Sequence, residues 1–394
     1  MFVKIILLLV LTACVSANDF IETYPLEFIF NGHLNKSVLS IWKLDNVNTI
    51  YLDLSRRNIS SFETGVFDDY SNLKRLDLSS NKIESINSSL FNSLTNLEDL
   101  NLNYNQIKTI SDQLNKLTSL KSLSITNNGL KSLSVNSLSF LTNLEYLDLS
   151  FNRLNFLDKN TFRSQTELKT LDLHWNFISD LDSMIFSELL NLRRLDISSN
   201  QIRTIDENLF GSNLNSLYDL NLRDNLISSL KQNLFYNLNN LKVLDVSWNS
   251  IRSLNQFAFS GLDDLFELYL NNNGLVNINP KSLDDLSTVE IFDLSSNNLT
   301  RITKDMFEKM TDLTILNLSD NKIATIDSQC FSNARFLSTI HLDLNNLKSF
   351  DSSHVKNLKF LNHLHLYWND PALGTSLDLN SIKAETNNLI SIKY

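Results

Sequence analysis

Three histidines near the C-terminal end form the cluster whose residue types and spacing best match metal chemistry. His341 and His365 occupy equivalent positions in two similar segments, and His363 lies two residues before His365. In neighbouring parallel strands, about 4.8 Å apart, these imidazoles would lie side by side. With Asp343 and Tyr367 next along the strands, the cluster could bind zinc or copper, or sense mild acidification. A solvated polar stripe is the alternative interpretation.

Large aromatic side chains recur at a second set of positions, each directly before a regularly spaced asparagine. These residues are Tyr104, Phe151, Trp175, Trp248 and Trp368. Exposed aromatic residues along one edge are typical of a protein or glycan interface, but packing against a local turn uses the same residue types. Both interpretations stay open. Phe151 and Trp175 form the first candidate patch, with His174 and Arg223 predicted to lie nearby. Tyr367–Trp368, beside the histidines, is the second.

A largely acidic row runs through the same segments, at the residue between two apolar strand positions. In chain order the row reads Asp53, Asp77, Asn101, Ser124, Asp148, Asp172, Asp196, Asn221, Asp245, Tyr269, Asp293, Asn317, His341 and His365. The row predicts repulsion of acidic ligands and preference for a basic partner; a solvated face is the alternative. Its aromatic member, Tyr269, is a further candidate binding residue.

Sequence motifs for catalysis are missing from the chain. It has no Gly-rich phosphate loop, no G-x-S-x-G, no H-E-x-x-H and no C-x-x-C. No Ser/His/Asp set or carboxylate pair stands apart from the repeat pattern. We therefore predict no catalytic residues and no cofactor.

One spacing organises all of these residues. Asparagines recur at intervals of 24 residues in ten of twelve gaps, with one gap of 23 and one of 25. They are Asn81, Asn105, Asn128, Asn152, Asn176, Asn200, Asn225, Asn249, Asn273, Asn297, Asn321, Asn345 and Asn369. Each lies in the frame L-x-x-L-x-L-x-x-N-x-L, and an earlier copy carries Arg57 instead of asparagine. This frame is the signature of a leucine-rich repeat.

The frame predicts a stacked architecture. Its L-x-L core alternates with period two, which indicates a short strand with one buried face, and stacked copies pair their strands in parallel. A buried asparagine amide can bond to the backbone of its own and the adjacent repeat, so we assign these asparagines to structure. A second column is predicted to fill the core with stacked rings. It contains Phe67, Phe91, Phe162, Phe186, Phe210, Phe235, Phe259, Phe307 and Phe331, with Leu138, Leu283 and Val355 elsewhere.

The full frame, with phenylalanine in its second half, resembles the "typical" extracellular leucine-rich-repeat family of Toll-like receptor ectodomains, insect leucine-rich immune proteins and Slit-like or chaoptin-like adhesion proteins. The resemblance covers residues 47–371. It implies an α/β solenoid, a horseshoe with a parallel concave β-sheet and about 14 repeats of 24 residues. The chain lacks the cysteine-rich caps common in that family, so residues 18–46 and 372–394 are predicted to be non-cysteine caps. Cys330 is predicted to be a buried thiol, with an intermolecular bridge as the alternative.

Residues 1–17 resemble a secretory signal peptide, with Lys4, the apolar run Ile5–Leu11 and small residues before the cleavage site. Leu11–Cys14 also resembles a bacterial lipobox, which is the alternative. No later segment is apolar enough to anchor the chain in a membrane, so we predict a secreted, extracellular protein. Five sequons mark candidate glycosylation sites at Asn35, Asn58, Asn87, Asn298 and Asn317.

The net charge of −10 disfavours nucleic acid or an anionic membrane as partner. Together these features predict a secreted, non-enzymatic recognition protein that binds a protein or microbial glycan on its repeat surface, in innate immunity. Cell adhesion or developmental signalling, as a soluble ligand or decoy, is the alternative. A secreted enzyme or enzyme inhibitor is a third. The sequence leaves the ligand and the oligomeric state undetermined.

Overall fold

A computed structural model describes residues 32–41, 48–386, 389 and 391–393. The predicted signal peptide, the lipobox cysteine Cys14 and Trp42 lie outside these residues. In the described part, no helix is both long enough and apolar enough to span a bilayer.

A single parallel sheet of 15 strands dominates the structure, and each strand pairs with the strand of the next repeat. The strands are Tyr51–Asp53, Arg75–Asp77, Asp99–Asn101, Ser122–Ser124, Tyr146–Asp148, Thr170–Asp172, Arg194–Asp196, Asp219–Asn221, Val243–Asp245, Glu267–Tyr269, Ile291–Asp293, Ile315–Asn317, Thr339–His341, His363–His365 and Ser391–Lys393. The predicted parallel-sheet solenoid is therefore confirmed, since every strand but the last comes from one copy of the leucine frame.

Among the described residues helices are few and short, because the returning segments consist mainly of turns. Two 3-10 helices, Ser212–Leu214 and Pro280–Leu283, lie among these turns. Two further pairs of short parallel strands join Arg301–Ile302 to Thr325–Ile326 and His33–Leu34 to Ser61–Phe62. The α-helices lie outside the repeats, at Lys36–Ile41, Ala372–Ser376 and Leu379–Glu385.

Stacked phenylalanines fill the core as predicted. Phe235 is fully buried, and its ring stacks on Phe210 at 5.9 Å and on Phe259 at 6.4 Å between centroids. The other members of the column, including Leu138, Leu283 and Val355, are also buried. The column joins the strand leucines in one continuous apolar core.

The asparagine ladder forms hydrogen bonds within and between repeats, as Asn225 illustrates. Its Nδ2 donates to the carbonyl of Leu222 at 3.1 Å and to that of Ile197, one repeat earlier, at 3.0 Å. Its Oδ1 accepts the Ile202 N–H at 3.0 Å. Each amide thus satisfies backbone groups that the turn leaves without strand partners, which explains why asparagine recurs.

The ends of the core are covered without disulfides among the described residues. Leu34 and Leu39 are buried at the N-terminal end, while Leu373 and Ile382 are buried at the other. Cys330 is a buried thiol, and burial raises its pKa well above the ordinary value. The boundaries 18–46, 47–371 and 372–394 stay predictions.

Candidate ligand-binding surface

The residue directly before each ladder asparagine has a left-handed backbone, with φ between 50° and 56°. We call these positions the edge column, because they lie where each strand ends and the chain turns. The N–H of Trp175 there donates to the carbonyl of Ser198 in the next repeat at 3.1 Å. The left-handed region costs most residues about 1–2 kcal/mol, and Asn and Asp tolerate it best. Small polar residues accordingly fill half of the edge column: Ser80, Asn127, Ser199, Asp224, Asn272, Ser296 and Asp320.

Five aromatic residues occupy the same unfavourable backbone position. Their exposed fractions are 58% for Tyr104, 40% for Phe151, 57% for Trp175, 48% for Trp248 and 79% for Trp368. Leu344 is also in the column and 49% exposed, although the sequence analysis considered only aromatic residues there. The left-handed backbone does not favour such bulky side chains, and these side chains are not fully buried in the core. We therefore hypothesise that they have a role in recognition.

Phe151, His174 and Trp175 form a continuous aromatic patch. The rings of Phe151 and Trp175 stack with centroids 5.5 Å apart and planes inclined by 14°. The His174 ring meets Phe151 edge to face, with centroids 4.7 Å apart. The predicted grouping of these three residues is therefore present in the structure. It offers a flat apolar surface with a polar ring at its border.

A carboxylate orients His174. Its Nδ1 lies 2.6 Å from Oδ1 of Asp172, and Asp196 lies close enough for all three to offer ligand atoms within 4.8 Å. The hydrogen bond to Asp172 raises the pKa of His174 above its ordinary value. Sequence reasoning placed these aspartates in the acidic row but did not join them to His174.

Arg223 contacts another aromatic residue of the edge column, Trp248. Its guanidinium lies over the Trp248 ring, 5.4 Å from the centroid, and its Nη1 donates to Ser247 Oγ at 3.0 Å. Arg223 and Trp248 thus form a cation–π pair, and the proximity of Arg223 to Phe151 and Trp175 stays a prediction.

Tyr269, the aromatic member of the acidic row, is tied to its own strand. Its hydroxyl donates to Glu267 Oε2 at 2.6 Å. Burial and the nearby carboxylate raise the pKa of Tyr269 above its ordinary value. The side chain is half-buried, so it presents less surface than the edge column does.

The acidic row caps the strand ends. Each of its Asp and Asn residues accepts the backbone N–H of the residue two positions later, as Asp245 does from Ser247 at 2.8 Å. The same bond occurs at Asp53, Asp77, Asn101, Asp148, Asp172, Asp196, Asn221, Asp293 and Asn317. These short polar side chains are thus explained by local structure. The row still gives this face of the sheet a negative character.

At the C-terminal end, two of the three predicted histidines come together. The rings of His341 and His365 have centroids 4.4 Å apart, and Asp343 lies close enough for the three to offer ligand atoms within 4.8 Å. His363 lies outside this set: its ring centroid is 6.5 Å from that of His365, and its Nδ1 is hydrogen-bonded to Ser391 Oγ at 3.0 Å. The sequence could not reveal this partner, since the C-terminal strand Ser391–Lys393 lies outside the repeat pattern.

Tyr367 and Trp368 continue the surface beyond the histidines. The Tyr367 ring lies edge to face with His365, with centroids 6.1 Å apart. Trp368 is the most exposed large apolar side chain in the part of the chain that the structure describes. These residues form a second aromatic area, separate from the aromatic patch.

The candidate glycosylation sites differ in accessibility. Asn87 is exposed in a turn, and the other four are half-buried: Asn35, Asn58, Asn298 and Asn317. Nδ2 of Asn317 donates to Asp293 Oδ2 at 3.2 Å. Use of any of these sites stays a prediction.

A groove lies where two strands of the sheet begin, at the ends opposite the edge column. The sequence analysis did not identify it. Phe336 and Phe360 are about half exposed, with ring centroids 6.0 Å apart. The groove has a volume of about 620 Å³ and is also lined by Glu290 and Asp312. The two phenylalanines recur 24 residues apart directly before an apolar frame position, so their spacing was a usable signal.

Most of the chain matches the profile of a known protein family. A profile of the family described as "Leucine rich repeat" matches residues 71–125, 118–176, 166–218, 215–275, 267–323 and 287–347. These segments cover well over half of the chain, so the protein belongs to the leucine-rich repeat family. A search of curated protein sequences found no match.

Solved structures of other repeat proteins share the fold. The Toll chain of a Drosophila Toll–Spatzle complex is 22% identical with a TM-score of 0.72, and the match covers 81% of this chain and 46% of Toll. TLR13 in complex with ssRNA13 is 24% identical with a TM-score of 0.65, and the match covers 84% of this chain and 60% of TLR13. An internalin of Listeria monocytogenes is 25% identical with a TM-score of 0.66, and the match covers 83% of this chain and 88% of the internalin. The chain thus spans about half the length of the Toll structure.

Proposed function

We propose that this protein is a secreted, non-enzymatic recognition protein of innate immunity, and that its edge column binds a protein or a microbial glycan. The observation that carries the proposal is the exposure of stacked Phe151 and Trp175 on left-handed backbone. Retaining such residues against the backbone preference is consistent with selection for a ligand.

The chemistry of the aromatic patch suits two kinds of ligand. Flat aromatic faces pack against the apolar face of a sugar ring or against apolar side chains of a protein. Asp172, Asp196 and the rest of the acidic row lie beside the patch and favour basic groups on the ligand. A neutral or basic ligand with an exposed apolar surface therefore fits best.

The structural relatives support recognition as the general role. Toll is described in a complex with Spatzle and as a hub of development and innate immunity, and TLR13 is described in a complex with RNA. For the present chain, the negative sheet face argues against RNA. A role in adhesion or development is the second candidate, because the Toll description joins development to immunity.

The variant that tests this proposal replaces the two aromatic side chains of the patch by serine, which other repeats have at the same backbone position. Phe151→Ser with Trp175→Ser removes the aromatic patch, while Ser80, Ser199 and Ser296 show that serine fits the same backbone position. Binding of the secreted protein to insoluble peptidoglycan, β-glucan and chitin is measured by sedimentation. Protein ligands are sought by photo-crosslinking in extracellular fluid of the source organism and then tested by calorimetry.

The matched control removes two exposed rings from the other side of the repeats, by Phe336→Ser with Phe360→Ser. We expect the patch variant to lose at least about tenfold in affinity, because one removed aromatic contact in an interface commonly costs more than 1 kcal/mol. The control variant is expected to bind like the wild type. Equal binding by the patch variant and the wild type would refute the proposed surface. Induction after microbial challenge separates an immune role from a developmental one.

A further inference from the structure

We propose that His341, Asp343 and His365 form a zinc-binding site on the sheet face, independent of the aromatic patch. His341 and His365 are directly paired in neighbouring parallel strands. Their ring centroids lie 4.4 Å apart, and the two imidazoles and the carboxylate offer ligand atoms within 4.8 Å of one another. Two imidazoles and a carboxylate are a ligand set that suits zinc.

Asp343 is already oriented for coordination. Its Oδ1 accepts the backbone N–H of Tyr367 at 3.1 Å, which holds the carboxylate in place. Its Oδ2 lies 3.7 Å from Nδ1 of His341. Tetrahedral zinc with bonds of about 2.0–2.1 Å separates its ligand atoms by about 3.3 Å. Small side-chain rotations therefore suffice to admit the ion, and the backbone hydrogen bond supports the ligand from behind.

Histidine stands at these two positions of the acidic row, where most repeats have Asp or Asn. All ten Asp and Asn residues of the acidic row cap the end of their own strand. In the repeat of His365 the N–H of Tyr367 is accepted by Asp343 of the preceding repeat instead. Residues that depart from a local rule of the fold mark a candidate functional site.

The other cluster of this kind, around His174, is less suited to zinc. Its Nδ1 is already hydrogen-bonded to Asp172 at 2.6 Å. Asp196 accepts from Ser198 with one oxygen and from Asn221 with the other. A single imidazole with two engaged carboxylates also offers fewer nitrogen ligands, so it serves as an internal comparison.

Bound zinc would have three protein ligands and a fourth position open to solvent, since about a third of the His341 side chain is exposed. Such a position accepts water or a donor group from a bound ligand.

Equilibrium dialysis of the untagged, full-length protein against zinc chloride, followed by elemental analysis, tests the proposal. The wild type is expected to bind one zinc ion at this site. His341→Asn and His365→Asn each remove a ligand, and asparagine is already a strand-capping residue in this row at Asn101 and Asn221. We expect each variant to lose more than about 100-fold in zinc affinity, beyond the usual effect of losing a supporting partner.

Folding and specificity are controlled in the same experiment. Unchanged thermal unfolding of the two asparagine variants without zinc would show that the loss is not a folding defect. His174→Asn is the matched control and is expected to keep wild-type zinc affinity. No zinc uptake by the wild type, full retention in both His341→Asn and His365→Asn, or loss in His174→Asn would each overturn the site.

Discussion

The same type of residue has different structural roles at different backbone positions of this chain. A serine or aspartate in the edge column fits a turn that the solenoid imposes, whereas Trp175 and Trp368 are placed there against the local preference. An aspartate in the acidic row looks like a ligand-binding charge, but it caps a strand end. Residue type alone is thus a weak guide, and residue type at a known backbone conformation is a strong one.

His174 is expected to titrate differently from a histidine in water. The hydrogen bond that the His174 Nδ1–H donates to Asp172 raises the pKa of His174, so in the folded state the imidazole stays protonated above the ordinary value of about 6.5. Asp172→Asn removes the charge but keeps an oxygen for the N–H of His174, as Asn101 does in another repeat. We expect the variant to lower the pKa of His174, measured by NMR titration of the imidazole.

The same shift has a consequence for stability. A pKa raised by folding adds stability that is complete below about pH 6.5 and is lost as the pH rises through the folded value. The stability difference between wild type and Asp172→Asn should therefore shrink between mildly acidic and mildly basic pH. An unchanged His174 titration in the variant would show that Asp172 does not hold the proton.

Structural elements here depend on contacts between repeats more than on contacts within them. Each strand is only three residues long within the main sheet and has no stability of its own. Its register is held by the ladder amide on one side and by the phenylalanine stack behind the sheet. Two predictions follow from these elements: the asparagine ladder tests polar stabilisation, and the phenylalanine stack tests apolar stabilisation.

Asn225→Ala tests the asparagine ladder. The change leaves the N–H of Ile202 and the carbonyls of Ile197 and Leu222 without their amide partner. Each buried polar group left unsatisfied costs about 1–3 kcal/mol, so we expect a loss of at least about 2 kcal/mol in denaturant unfolding. Asn155→Ala, at an exposed turn position, is the control and should change stability little. Equal effects of the two changes would disprove the structural assignment of the ladder.

Phe235→Ala tests the ring stack. The ring is fully buried between Phe210 and Phe259, and its removal leaves a cavity in the middle of the solenoid. Losses for such changes are about 3–5 kcal/mol. Phe235→Leu should cost clearly less, because Leu138 and Leu283 fill the same column in other repeats. Similar losses for alanine and leucine would mean that ring stacking, and not volume, is what the column needs.

At the scale of the whole molecule, the repeat frame predicts most of the architecture. The sheet, the ladder and the phenylalanine column follow from residue spacing because each repeat presents the same packing problem to its neighbour. The match to the leucine-rich repeat family and the shared fold with the Toll ectodomain agree with this.

Other features depend on side-chain directions that spacing does not encode. Arg223 packs on Trp248, and His363 bonds to Ser391 in a strand beyond the last repeat. The left-handed backbone of the edge column was also not foreseen, although the frequent Ser, Asn and Asp there were a signal for it. The sequence thus identifies the aromatic residues of the edge column, and their role as a binding surface stays a prediction.

The central claim is that the exposed rings of the edge column serve a ligand and not the fold. Trp175→Ser tests it most directly, by denaturant unfolding of the purified protein beside Phe235→Ala. The account predicts a loss of only about 0.5–1.5 kcal/mol, which is the contribution of the stack with Phe151, since serine keeps the same left-handed backbone that it has at Ser199. A loss of about 3 kcal/mol or more, as expected for the buried Phe235, would show that Trp175 is a structural residue and would contradict the account.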